Sequence, residues 1–139
     1  MQRSDKEVRD PGWIHSVLHE AQYCHLACSD GDTPYLVPMN FAYLNGHLIL
    51  HSAPEGEKIR ILRQNPKVSF SVEVGIDLIS SDAPCGYSMR FRSVCGTGSA
   101  RCVEDPEEKA RLLRVFATKF ISGPLPVFSP ESLDQVLVI

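Results

Sequence analysis

Apolar and polar positions alternate along most of this chain, and where alternation stops, helical spacing takes over. Trp13, Ile14, Val17, Leu18 and Ala21 recur every three or four residues, predicting a helix over 11–22. Asp10 is placed to cap it, and Pro11 occupies the first helical position, where a missing N–H costs nothing. Residues 23–29 then read as a strand, Asp30-Gly31-Asp32 as a hairpin turn, and 33–44 as a second strand. Asn45-Gly46 is the strongest short hairpin signal in the chain and leads into a third strand over 47–52.

A short basic helix over 57–64 stops at Asn65-Pro66, because the residue before proline is pushed out of the helical region. Val68, Phe70, Val72 and Val74 alternate with polar neighbours as a fourth strand. The pattern reads 76–86 as a loop and about 87–103 as a long strand, with Gly96 and Gly98 marking a bulge or a close approach. Asp105-Pro106 repeats the cap-and-proline signal. The helix it opens carries Ala110, Leu112, Leu113, Phe116, Ala117 and Phe120 as an apolar stripe. After a proline-rich loop over 123–130, Ser129-Pro130-Glu131 opens a helical turn, and 136–139 read as a final apolar strand. Six hairpin-linked strands predict a mainly β (α+β) protein whose antiparallel sheet closes into a barrel, with helices at its periphery.

The chain has 139 residues, enough for one domain, and 43% apolar and 22% charged residues are ordinary for a globular protein. A net charge of -3 speaks against a general nucleic-acid or membrane-surface binder. No secretory signal follows Met1, no apolar run approaches the ~18 residues of a membrane span, and the five cysteines contain no CxxC pair. These features predict free thiols in a reducing cytoplasm. Cys24, His25 and Cys28 do not make a metal site, since a strand sends the two thiols to one face and the imidazole to the other.

Two stretches stand apart chemically. In LHSAPEGEKIRILRQNP, a polar turn precedes the N-terminus of the basic helix, where unpaired N–H groups favour an anion. Ser52 can donate a hydroxyl bond there, and Lys58 lies in the first helical turn. Glu55 and Glu57 oppose an anion unless they point into solvent. The same residues also fit a solvated amphipathic helix that buries Ile59 and Leu62. In YLVPMNF, Pro38 inside a strand marks an edge or bulge and frees backbone groups, and Asn40 adds an amide that donates and accepts. A plain edge strand fits this stretch equally.

Taken in order, VPMNF, LHSAPEGEKIRILRQNPKVSFSVE and YSMRFRSVCGTGSARCVEDPEEK resemble the flavin-binding split-barrel relatives of pyridoxamine 5′-phosphate oxidase, above all the NimA-like, or 5-nitroimidazole-resistance, branch. The resemblance implies a six-stranded antiparallel split β-barrel and a single FMN-binding domain over 1–139; ending on an apolar strand, where termini are normally polar, raises the expectation of a truncated boundary. It implies FMN as cofactor, contacted by His51 and Ser52, by the Val37, Pro38, Met39 and Asn40 segment, and by Ser93, which stands where the oxidases have glutamine. Lys58 matches a lysine that grips the FMN phosphate, whereas Glu57 replaces the arginine beside it, a departure usual in the NimA-like branch. No counterpart is present for the C-terminal residues with which the oxidases read pyridoxal phosphate, so vitamin B6 oxidation is not expected. The resemblance also implies a homodimer, packed sheet against sheet with flavin in the groove between subunits.

On these terms the expected function is that of an FMN-dependent oxidoreductase. Electrons would come from NAD(P)H or a reduced protein and pass to nitroimidazole-type or other small acceptors, with His51 as the candidate proton donor. The alternative from another class is a flavin- or haem-binding sensor or store without turnover, in which His51 could ligate haem iron. A cofactor-free interaction protein is the third.

Overall fold

The computed structural model describes residues 4–139. After a single 3-10 turn at Ser4–Lys6, helix α1 (Pro11–Glu20) leads into strands β1 (Tyr23–Asp30), β2 (Thr33–Leu44) and β3 (His47–Ser52). Helix α2 (Glu57–Gln64) separates β3 from β4 (Lys67–Ile79), which returns through a 3-10 turn at Pro84–Gly86 into β5 (Ser88–Ser99). Helices α3 (Pro106–Phe120) and α4 (Pro130–Asp134) precede a two-residue strand β6 (Leu137–Val138). The six strands form one sheet in the order β5-β4-β1-β2-β3-β6, every neighbour antiparallel. This is the expected mainly β, α+β split-barrel architecture.

The local signals act where sequence placed them. Asp10 accepts from the Trp13 N–H at 2.8 Å, Asp105 from the Glu108 N–H at 2.7 Å, and Ser129 from the Ser132 N–H at 3.3 Å. Asn45 (φ 49°) and Gly46 (φ 85°) both occupy the left-handed region that the tight β2–β3 turn demands. Cys24, Leu26 and Cys28 of β1 point inward and are buried, while His25 faces the other side.

Two boundaries differ from the sequence reading. Residues 76–79 are not loop: they continue β4, pairing Asp77 with Arg90, Leu78 with Met89 and Ile79 with Ser88. A register shift between Val74 and Asp77, with Gly75 at φ 60°, breaks the alternation and hides the strand's continuation. The β5 strand stops at Ser99 rather than near 103. Ala100 donates to the Pro66 carbonyl at 2.8 Å, but Pro66 has no N–H to return, and the ladder ends there. The chain then crosses to β6, where Val103 makes an isolated bridge to Val138.

Two apolar clusters hold the fold. One fills the barrel and joins α1 and α2 to β1–β4 through residues such as Val17, Cys24, Phe41, Ile59, Ile61 and Val72. The other lies between the outer face of β2, β3 and β6 and the helices α3 and α4, around Ala42, Ile49, Leu113 and Val138. Gly96 is required by the first cluster, because a Cβ there would lie 2.5 Å from the Phe70 ring across the β4–β5 rung. Gly98 has open space in the same position. Gly96→Ala is therefore expected to lower stability by about 1–2 kcal/mol through overpacking, and Gly98→Ala to leave it nearly unchanged, as read by urea denaturation; equal losses would show that Phe70 does not set the requirement.

Candidate ligand-binding site

The site begins where β2 and β3 part. Alternation along the β1–β2 hairpin directs the backbone of 33, 35, 37 and 39 to β1 and that of 34, 36, 38 and 40 to the opposite edge. Pro34 and Pro38 thus leave the β1 ladder intact while withholding donors from the β3 side. The β2–β3 ladder ends at Phe41↔Leu50, and the other edge of β3 carries β6, with His51 and Ser52 paired to Val138 and Leu137. The result is a length of β2 edge with no ladder before Phe41, with the Pro38 carbonyl and the Asn40 N–H on it.

The predicted residues distribute unevenly around this opening. Pro38 and Asn40 present exposed side chains; Met39 is buried and Val37 half-buried, both turned to the barrel interior, so these two can offer a ligand backbone alone. The Asn40 amide reaches the Gln22 carbonyl at 3.5 Å, tying the edge to the segment after α1. His51 lies on the outer face, solvent-exposed at one side, with its ring edge-on to Phe116 of α3 at 4.4 Å between centroids. Ser52 is half-buried and turns inward. Ser93 is also half-buried on the outer face, but on β5, paired with Glu73. Three strand spacings of ~4.8 Å separate β5 from β2, so Ser93 and Asn40 of one chain lie about 14 Å apart across the sheet. The structure brings Pro38, Asn40, His51, Ser52 and Lys58 to one region and leaves Ser93 outside it.

Helix α2 supplies the electrostatics. Its N-cap is Gly56 at φ 123°, which has no side chain to cap with, whereas α1, α3 and α4 are all capped by side chains. The first bond of α2 is Arg60 N–H to the Gly56 carbonyl, so the N–H groups of Glu57, Lys58 and Ile59 precede it with no intrahelical acceptor. Glu57 does not oppose an anion there: Arg60 takes it at 2.6 and 3.0 Å and holds its carboxyl below the usual range, while also engaging Asp30 of β1. Lys58 is half-buried, and burial pushes its ammonium below the ordinary lysine value. Its charge reaches His51, whose pKa is lowered from 6.5, first by partial burial and then by Lys58. Folded His51 therefore binds a proton less readily than the unfolded chain does. Its contribution to stability is present above about pH 6.5 and is lost as pH falls from there towards the folded pKa.

Two residues outside the sequence prediction shape the region. Phe116, recognised from its spacing only as part of a buried stripe, forms the wall behind His51 and stacks in turn on Phe120 at 4.9 Å. Lys119 lies 4.1 Å over the Phe41 ring and donates to the Ala21 carbonyl, which fixes α3 against the end of α1. A lysine in the last turn of an apolar helix is the one signal that could have pointed to it. A cleft of about 520 Å³ lies elsewhere, between the β2–β3 turn and the end of β5, and includes none of the predicted residues. Around His51 the surface is open, with His51, Pro38 and Asn40 exposed. Among the described residues no three His, Cys, Asp or Glu side chains gather as a metal site, and no helix is long and apolar enough to cross a membrane.

Fold and groove together define an antiparallel split-barrel protein with an anion-favouring helix end beside an open strand edge. Comparison with known proteins gives the particular family: residues 10–135 match the model of pyridoxamine 5′-phosphate oxidase. The chain belongs to that family. A solved candidate 5-nitroimidazole antibiotic resistance protein of Bacteroides thetaiotaomicron is 34% identical, with 94% of this chain and 78% of that one covered and a TM-score of 0.83. This places the chain with the NimA-like members. An FAD-binding protein of Mesorhizobium loti is 30% identical over 69% of this chain and 63% of its own, with a TM-score of 0.54. Among curated proteins, an uncharacterized protein of Rhizobium meliloti is 39% identical over 56 residues, 40% of this chain and 36% of that protein. The match thus spans little more than a third of that curated relative.

The wall behind His51 can be tested directly. Phe116→Ala should let water reach the imidazole and raise its pKa towards 6.5, followed by NMR titration of the ring protons. An unchanged value would place the cause of the depression elsewhere.

Proposed function

We propose that this chain binds FMN in the groove between β2, β3 and α2, as a homodimer, and serves as an FMN-dependent oxidoreductase for small acceptors of the nitroimidazole type. The observation that carries this reading is the uncapped N-terminus of α2 with Lys58 in its first turn, opening onto the free β2 edge. The residues fit the cofactor: the N–H groups of 57–59 and the Lys58 ammonium suit a terminal phosphate, and the backbone edge at Pro38 and Asn40 suits a flat heteroaromatic ring with donors and acceptors on its rim. Glu57, which stands where the oxidases carry arginine, is withdrawn and neutralised by Arg60, so the departure removes one cation without adding a free anion. The similarity to the Bacteroides protein supports the acceptor class, and the similarity to the FAD-binding Mesorhizobium protein supports a flavin.

FMN, when bound, supplies hydride and electron transfer. The chain supplies placement and protons. Ser52 contributes backbone at the strand exit, and Val37 and Met39 do so while anchoring β2 in the core. His51, deprotonated at neutral pH by burial and by Lys58, holds an imidazole nitrogen beside the groove. A phosphate on Lys58 would offset that ammonium and with it the smaller, coulombic part of the lowering, shifting the His51 pKa upward. Ser93 lies three strands from Asn40 on the same sheet and would meet the ring from the second subunit.

Exposed apolar surface supports the second copy. Beyond the Gly75 bulge the β4–β5 hairpin projects with Leu78, Met89 and Phe91 on one face, 64%, 47% and 52% exposed. A two-stranded arm with an uncovered apolar face is marginal alone and gains by pairing.

Three outcomes are expected. Lys58→Ala should weaken FMN binding by about 10- to 100-fold, the worth of a charge-assisted phosphate contact of roughly 1.4–2.8 kcal/mol, and exposed Lys67→Ala should not, by fluorescence titration; equal binding by both variants removes Lys58 from the site. Saturating FMN should raise the His51 pKa in an NMR titration, and a value indifferent to FMN contradicts a phosphate at Lys58. In sedimentation equilibrium the particle should have twice the 15.5 kDa chain mass and dissociate when Leu78 and Phe91 are both changed to Asp. A monomer at high concentration would exclude the shared groove.

A further inference from the structure

His15 and His19 take no part in the groove. They lie four residues apart on α1, one helical turn, so they share a face with about 6 Å of rise between them. Helical metal-binding motifs set two imidazoles on one ion with this same spacing. Both side chains are exposed. Both rings rest against one residue, Tyr43 of β2: His15 at 5.4 Å with planes at 44°, His19 at 5.2 Å and nearly perpendicular at 79°. A shared aromatic support gathers the two imidazoles to one patch of surface and narrows the rotamers they sample.

The other histidines provide the contrast. His25 faces the Glu73 carboxylate at 3.6 Å, and His51 packs on Phe116. Among the described residues, no hydrogen bond or ion pair engages the ring nitrogens of His15 or His19, which are left available. The helix that carries them is firmly held: Asp10 caps its start, Val17 is fully buried between the two histidines, and Glu20 is clamped by Arg92 at 2.7 and 2.8 Å. A rigid helix presenting two imidazoles on one face is the preorganised half of a coordination shell.

We propose that His15 and His19 form a bidentate site for a divalent transition-metal ion of the Zn²⁺, Ni²⁺ or Cu²⁺ class, the cations for which imidazole is a preferred ligand. The i, i+4 spacing lets two imidazoles of one helix share a single ion at the ~2.0–2.1 Å nitrogen–metal distance that zinc requires. No carboxylate or thiolate joins the two imidazoles as a third ligand, so the remaining positions belong to water. The site is open and exchangeable rather than a buried structural centre. It is independent of flavin binding.

Isothermal titration of the full chain with NiCl₂ at about pH 7.5 should show one ion per chain, with the affinity falling on acidification because imidazole must be deprotonated to ligate. His15→Gln and His19→Gln should each weaken binding by about tenfold or more, with His47→Gln, an exposed histidine at the β2–β3 turn, leaving it unchanged. Circular dichroism establishes that each variant is folded. Absence of binding by the unaltered chain at millimolar metal, or undiminished affinity in the folded His15→Gln/His19→Gln double variant, would overturn the assignment.

Discussion

The structure depends on the early parting of β2 from β3. Pro34 and Pro38 withhold donors from the β3-facing edge of β2, and the strand is stitched to β1 over Thr33–Asn40 and to β3 over Phe41–Leu44 alone. Had both edges been satisfied, β3 would have run on beside β2 and no backbone would be left for a ligand. The other edge of β3 carries β6, the chain leaves the barrel at Ser52, and the turn that follows must re-enter through α2. Gly56 makes that entry at a φ that other residues resist, and it brings no capping side chain with it. One constraint on strand pairing thus leads to an open edge, a free helix end and the lysine between them.

Charge in the groove is arranged by withdrawal as much as by placement. Arg60 gathers Glu57 and Asp30 into one exposed network and takes negative charge away from the helix end. These ion pairs are solvent-exposed and add little to stability. Their consequence is local: Lys58 is left as the half-buried cation nearest His51, and its effect is legible in the lowered pKa of that imidazole. Phe116 completes the setting by removing water from one face of the ring.

Much of this could be read from residue pattern because the signals are local. Asn45-Gly46, the Asp-Pro pair before each long helix, and Asn65-Pro66 each act through a few neighbouring atoms, and α2 occupies the predicted 57–64. The parting of β2 and β3 was partly legible in Pro38, since a proline announces a missing donor without saying which edge lacks it. What stayed hidden is non-local or breaks a period. The Gly75 bulge shifts alternation by one position and makes residues 76–79 look like loop. The contact of Phe116 with His51 joins positions 65 apart, and Arg60 with Asp30 joins strands to helix across a hairpin. Family resemblance placed Ser93 beside the flavin; only the sheet order reveals that it stands three strands from Asn40 in the same chain.

The central claim is that the free amides at the start of α2 receive a phosphate. Amide chemical shifts of Glu57, Lys58 and Ile59, recorded as FMN and then riboflavin are added to separate samples, test it most directly. The account predicts large shifts with FMN and small ones with riboflavin, which carries the same ring without the phosphate. Shifts of equal size with both, or none at these three amides while FMN binds, would contradict it.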